Sequence, residues 1–319
     1  MSDKKVLQVG GFMIGLAILL RLTLGAWAPV LESGQPIQPG QIFLFLQTGR
    51  VICLPAAPPP QEDTPLPSET PAPAIAVFSQ TDGKLIQLRN TSDKKADVST
   101  ALLTELQWDL YANQPTVLIL HSHGSESYEH TGEYQETTAY RTLNTDYNMV
   151  SIGDQLAKKL EQAGIRVIHD RTLYDVPSYN DAYVNARKAI QQHLADNPSI
   201  CLVLDLHRDA AATETGQIRY VTDTPEGTAA QLMLVLGTNH TGWQDNLSFA
   251  TKLQVQLEKQ VPGICRPISV RAQRYNQDLC PAAVLVEVGA AGNDRQEALL
   301  AAEYLANAII SLACGAESS

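Results

Sequence analysis

Basic residues are scarce in this sequence. Lys and Arg number 23 against 34 Asp and Glu, a net charge of −11 over 319 residues. That balance argues against a nucleic-acid binder, which carries a basic patch and commonly a pI above ~9. It argues equally against a polybasic membrane-surface binder. Cysteine is also sparse, with five residues at 53, 201, 265, 280 and 314. No C-x-x-C pair occurs, which disfavours a zinc knuckle or a thioredoxin-like site. The odd count excludes a fully paired set of intramolecular disulfides. No G-x-S-x-G nucleophile elbow is present, so G-S-E-S at 124–127 is a poor serine-hydrolase signal. No internal repeat is visible.

What is present is uneven. Residues 6–28 are largely apolar, interrupted by Gln8 and Arg21 and preceded by Lys4 and Lys5. A spanning helix needs ~20 apolar residues. Arg21 can snorkel and Trp27 suits an interface, so 6–28 reads as a transmembrane anchor. The two lysines place residues 1–5 in the cytoplasm and the rest of the chain, single-pass, outside. A cleaved signal peptide is the rival reading. Residues 29–54 form a juxtamembrane region with the apolar run Ile42–Leu46. Eight of the nineteen residues 55–73 are proline, so 55–76 reads as an extended, semi-rigid linker.

Residues 77–319, with a core at 115–313, read as one α/β domain. The apolar runs 117–120, 165–168, 200–206, 231–236 and 284–288 are expected strands. Met149, Ile152, Leu156 and Leu160 fall on one helical face, with Gly164 as the stop. Further helices are expected over 180–194, 246–259 and 295–312. Strand and helix alternation implies a central, mostly parallel sheet with helices on both faces.

In such sheets, sites form beyond the carboxyl ends of strands. Three strand ends carry polar residues: His121, His123 and Glu126 in the first; Asp205, His207, Arg208 and Asp209 in the second; Glu287 in the third. Imidazoles with carboxylates are the donors of a catalytic zinc site, which uses three protein ligands and a water. Glu287 sits between valines, where an unpaired carboxylate is costly to bury, so it reads as a group at the mouth of a site. Asp205 and Asp209 are candidates to orient a ligand ring, and Arg208 is either a structural ion-pair partner or a stabiliser of an oxyanion. His121 is either a ligand or a neighbour of one. Alternation would set it on the same face as His123. His240 follows the run 231–236 and so also reads as a strand-end residue. His130, His169 and His193 read as structural.

The stretches V-L-I-L-H-S-H-G-S-E-S-Y, D-Y-N-M-V, V-I-H-D-R-T, D-V-P-S-Y-N, C-L-V-L-D-L-H-R-D-A, L-V-L-G-T-N-H, Y-N-Q-D-L and V-L-V-E-V-G-A-A-G-N resemble the stage II sporulation protein P family over roughly residues 115–310. The anchor and linker also resemble that family's layout. The resemblance implies a zinc-dependent cell-wall hydrolase on the outer face of the membrane. Such an enzyme is an N-acetylmuramoyl-L-alanine amidase and endopeptidase on peptidoglycan. It works in forespore engulfment with stage II sporulation protein D and the engulfment membrane complex. The domain is also similar to the zinc amidases of phosphorylase/hydrolase-like fold. Their glutamate ligand lies at the start of the helix after strand one, where this chain has Asp146 but no glutamate. Glu126, Glu133 and Glu136 are the other candidates.

The site then reads as His123, Glu126 and His207 on Zn2+, with Glu287 as the proton carrier and Arg208 or His240 assisting at the oxyanion. A non-catalytic wall-binding scaffold would keep the fold but show gaps in this set. A zinc carboxypeptidase or deacylase on another exported amide would keep the set.

Overall fold

The computed structural model describes residues 78–106, 108–129 and 140–314. The expected anchor 6–28, the juxtamembrane region, the linker, His130, Glu133 and Glu136 lie outside the described residues. No helix among those described is long and apolar enough to cross a membrane.

The described elements run β1 (Leu88–Asn90), α1 (Val98–Leu103), β2 (Val117–Leu120), α2 (Met149–Gln162), β3 (Val167–His169), α3 (Ala182–Asp196) and β4 (Leu202–Asp209). Two small hairpins follow, β5 (Ala212–Thr213) with β6 (Gly216–Gln217) and β7 (Val221–Thr224) with β8 (Gly227–Ala230). The chain ends with β9 (Leu232–Gly237), α4 (Trp243–Gln260), β10 (Ile268–Arg271), β11 (Ala282–Ala290) and α5 (Arg295–Cys314). The four long helices and five core strands expected from periodicity all form. The short β1, β10 and α1, and the hairpins, were not expected.

Local chemistry accounts for the boundaries of α2. The Asn148 side chain caps it by accepting from the Val150 amide, and Gly164 ends it with φ 88°. Met149, Ile152, Leu156 and Leu160 are all fully buried on its inner face. A cap of this kind contributes about 1 kcal/mol, so burial of the apolar stripe stabilises the helix more than its cap does.

The sheet order is β1-β10-β9-β11-β4-β2-β3. The sheet is mostly parallel but consists of two parallel blocks pointing opposite ways. β1, β10 and β9 form one, β11, β4, β2 and β3 the other, and β9 meets β11 antiparallel. The 210–231 connection explains the reversal, since it holds two hairpins and no crossover helix, which a return in the same direction would need.

Alternation sorts the side chains cleanly. Val117, Ile119, Leu202, Leu204, Leu206, Val284 and Val286 join the main core with α2, α4 and α5. Leu118, Leu120, Val203 and Ala283 face the other way, against Ala186 and Ile190 of α3. Asp205, His207 and Glu287 have the parity of this second face, where Leu285 packs with Met233 and Val235. Helical cover is therefore heavy on one face and light on the other.

Candidate active site at the carboxyl edge of the sheet

β4 and β11 run in parallel register with Glu287 directly beside His207. Just past β2 the chain makes a turn in which the Glu126 amide donates to the His123 carbonyl at 3.1 Å. Asp175 fastens this turn, accepting from the Ser125 hydroxyl at 2.5 Å. These three strand ends bring His123, Glu126, His207 and Glu287 together. Glu126 Oε2 lies 3.4 Å from His207 Nδ1, and the His123 and His207 rings are 5.5 Å apart between centroids.

His207 is a buried ring between two carboxylates. Asp205 Oδ1 is 3.0 Å from Nε2, although no hydrogen bond aligns there. Asp205 is itself pinned, accepting from the Ser122 amide at 2.7 Å and the Ser122 hydroxyl at 2.6 Å. Burial opposes the imidazolium, but Asp205 and Glu126 outweigh it and hold His207 well above the usual histidine range. Burial likewise opposes the Glu126 and Asp205 carboxylates, and their partners outweigh it and hold both below their usual values. Glu287 behaves differently. Burial pushes it up to about 8, and the attraction of His207 is offset by repulsion from Glu126 and Asp209. Burial pulls His123 down.

Aromatic side chains wall the site. Tyr179 stacks on His123 with centroids 3.9 Å apart, and the Arg141 guanidinium covers the Tyr179 ring at 3.7 Å. Tyr183 lies nearly parallel to His207 at 6.1 Å. Tyr179, Tyr183, Arg141 and Asp175 were not among the sequence candidates. The D-V-P-S-Y-N stretch, which holds two of them, was the available signal.

Several expected residues take other roles. His121 does not share a face with His123, because the chain turns after β2. Its Nδ1 lies 3.2 Å from the Leu206 carbonyl and its Nε2 2.8 Å from His169, so both nitrogens are engaged away from the cluster. Burial and the neighbouring His169 push its pKa down to about 3. Arg208 is engaged by protein oxygens, as an ion-pair partner would be. Its guanidinium donates to the Ser127 and Tyr140 carbonyls and to Glu126 Oε1 at 3.4 Å. Asp209 pairs with Arg266 at 2.8 Å and does not orient a ring. His240 lies at the opposite end of the sheet, because β9 runs against β11 and Met233, not Gly237, is level with Glu287. Asp146 is exposed in the turn before α2. His169 and His193 are held structurally by Asp154 and Asp170.

As the side chains stand, no three His, Cys, Asp or Glu among the described residues are gathered closely enough to hold a metal ion. The donor set nevertheless suits one in kind. His123 Nδ1 and Glu287 Oε2 are buried without any hydrogen-bond partner. Such orphans call for a missing partner. Two imidazoles and a carboxylate are the usual ligands of a catalytic zinc.

The class so defined is an α/β domain with a buried His–Glu–His–Glu cluster at the carboxyl edge of its sheet. The family model described as Stage II sporulation protein P (SpoIIP) matches residues 57–310, and the chain belongs to that family. Stage II sporulation protein P of Bacillus subtilis (strain 168) is 25% identical over 258 residues, covering 76% of this chain. The chain spans 61% of that relative's length. Among solved structures, the CwlD amidase of Clostridioides difficile in complex with the GerS lipoprotein is 18% identical, covering 61% of this chain and 94% of its own, at a TM-score of 0.38. The catalytic domain of CwlV, an N-acetylmuramoyl-L-alanine amidase of Bacillus (Paenibacillus) polymyxa var. colistinus, is 14% identical with coverages of 61% and 96%, also at 0.38.

Proposed function

We propose that the chain is a peptidoglycan hydrolase that cuts the amide between N-acetylmuramic acid and L-alanine of the stem peptide. The observation that carries this is Glu287, a carboxyl level with His207 in adjacent parallel strands, with one oxygen buried and unpartnered. Family membership supports the substrate class.

His123, Glu126 and His207 would hold a zinc ion, which when bound supplies Lewis acidity at the carbonyl and a water of pKa ~7. Asp205, fixed by Ser122, keeps the His207 ring oriented. Glu287 takes a proton from the attacking water and returns it to the leaving amine. A carboxyl shifted towards neutrality is suited to both transfers. Arg208 clamps Glu126 and neutralises part of its charge. Tyr179 and Tyr183 exclude water from the two imidazoles.

The same centre suits peptide cross-links, so endopeptidase activity is part of the proposal. So is a place in forespore engulfment, with the domain outside a membrane anchor at 6–28 and stage II sporulation protein D as partner. Purified peptidoglycan incubated with the protein should yield free stem peptides by mass spectrometry. Cleaved cross-links would add the endopeptidase activity. Binding without any product would refute the hydrolase reading in favour of a wall-binding scaffold.

A further inference from the structure

The face that carries His207 and Glu287 continues onto β9, where Met233 is the Cα partner of Glu287. Beyond it, Ser269 and Arg271 of β10 and Arg89 of β1 share that face, through the pairs Ser269 with Val235, Arg271 with Gly237 and Arg89 with Ser269. With Asp209 and Arg266 they line a cavity of about 410 Å³. Neither β10 nor β1 contributes to the buried apolar clusters of this face, and most of the residues lining the cavity are polar or charged.

Three arginines meet one aspartate here, in a chain whose net charge is −11. Asp209 and Arg266 pair at 2.8 Å, which leaves an excess of positive charge. Two of the guanidinium groups are held in place. Arg271 Nε donates to Ser269 Oγ at 2.9 Å, and Arg266 lies over the Tyr220 ring at 3.7 Å. Arg266 Nη1 is buried and has no acceptor. A buried cationic donor left unpaired is costly, and a bound anion would supply what it lacks. Guanidinium forks fixed in position favour a planar, two-oxygen anion.

We propose that this cavity is a specificity subsite that binds a free carboxylate of the stem peptide while its amide is cut at the neighbouring Glu287. The inference rests on the amidase reading above. The sugar side offers no competitor, since its lactyl carboxyl is the acyl half of the scissile amide. The free carboxylates therefore lie on the peptide, and the subsite would choose the peptide side and its amidation state.

The test compares soluble muropeptides in which each peptide carboxyl in turn is either free or a primary amide. Peptide release is followed for the native enzyme, Arg271→Gln and Arg89→Gln. For one carboxyl, the native enzyme should prefer the acid. Both variants should lower kcat/KM for that acid about ten- to a hundredfold, through KM, as expected for loss of a charge-assisted contact. The matching amide should change by less than about twofold, since it never used the contact. Equal losses on acid and amide, or native indifference at every carboxyl, would overturn the proposal. Arg89 is exposed, so Arg89→Gln carries the test should Arg271→Gln fail to fold. If the native enzyme released no peptide at all, the amidase reading would fall. Calorimetric preference for the free peptide acid over its amide would then still decide the subsite by itself.

Discussion

Replacing Glu287 by Gln should damage activity and strengthen the fold at the same time. The substitution keeps the shape and removes the charge. Activity should fall by about a hundredfold or more, the usual contribution of a positioned proton carrier. Stability should move the other way. The folded carboxyl titrates at about 8 against an ordinary value of 4.5. With about 1.4 kcal/mol per pKa unit, the limiting penalty for the ionised form is about 4 to 5 kcal/mol. Partial exposure and local relaxation reduce that to about 2 kcal/mol. The raised pKa means that the folded state holds the proton more tightly than the unfolded state. Native stability is therefore fully present below pH 4.5 and declines as pH rises towards 8. Glu287→Gln should match the native protein in acid and exceed it increasingly up to pH 8. The gain above pH 8 should be about 4 to 8 °C in Tm for a domain of this size. Thermal unfolding of chelator-treated protein at several pH values, beside a peptide-release assay, measures both effects. A less stable variant, or one with full activity, would refute the role given to Glu287.

Other expectations use different readouts. His207→Ala should abolish zinc binding by elemental analysis, whereas His121→Ala should keep the metal and lose only stability, since both His121 nitrogens are engaged elsewhere. Equal zinc loss in both would reject the ligand assignment. Arg208→Met should cost about 3 kcal/mol in denaturant unfolding, because it takes the guanidinium away from the buried Glu126, which keeps its contact with His207. An effect on activity with unchanged stability would restore the oxyanion role to Arg208. Burial opposes the Asp170 carboxylate, but hydrogen bonds from Tyr174, Thr172 and His193 outweigh it and draw its pKa down to about 2. It should contribute about 2 kcal/mol above pH 4 that is lost as pH falls through 2. Asp170→Asn should therefore flatten the acid limb of the stability curve, and an unchanged limb would contradict this.

Parity and polarity within apolar runs made much of the site legible. Glu287 stands out between valines, and His207 two residues past Asp205 is on the same side of β4, as the structure places both. His123 and Glu126 follow an apolar run and lie in one turn. What could not be read was set by strand direction and by distant partners. His240 looked like the others because a strand end does not reveal which end of the sheet it joins. The helix-free stretch 210–231 was the clue to that reversal. Arg208 and Asp209 depend on Glu126 and Arg266, partners far away in sequence. β1 and β10 are too short for periodicity to register. Tyr179 and Tyr183 come from the start of α3 and the segment before it, where an aromatic residue has no spacing signature.

The unequal helical cover bears on how a giant substrate is approached. A wall is a continuous covalent mesh, and most of its bonds lie far from any loose end. An enzyme whose reactive groups sat at the bottom of a tunnel would have to wait for ends to thread in. Among the described residues, α3 packs over the β2 and β4 side of the reactive face and contributes to no apolar cluster over β10 or β1. On the proposed reading, a strand of the mesh would be laid sideways against that margin, and attack in mid-strand would need no prior nick.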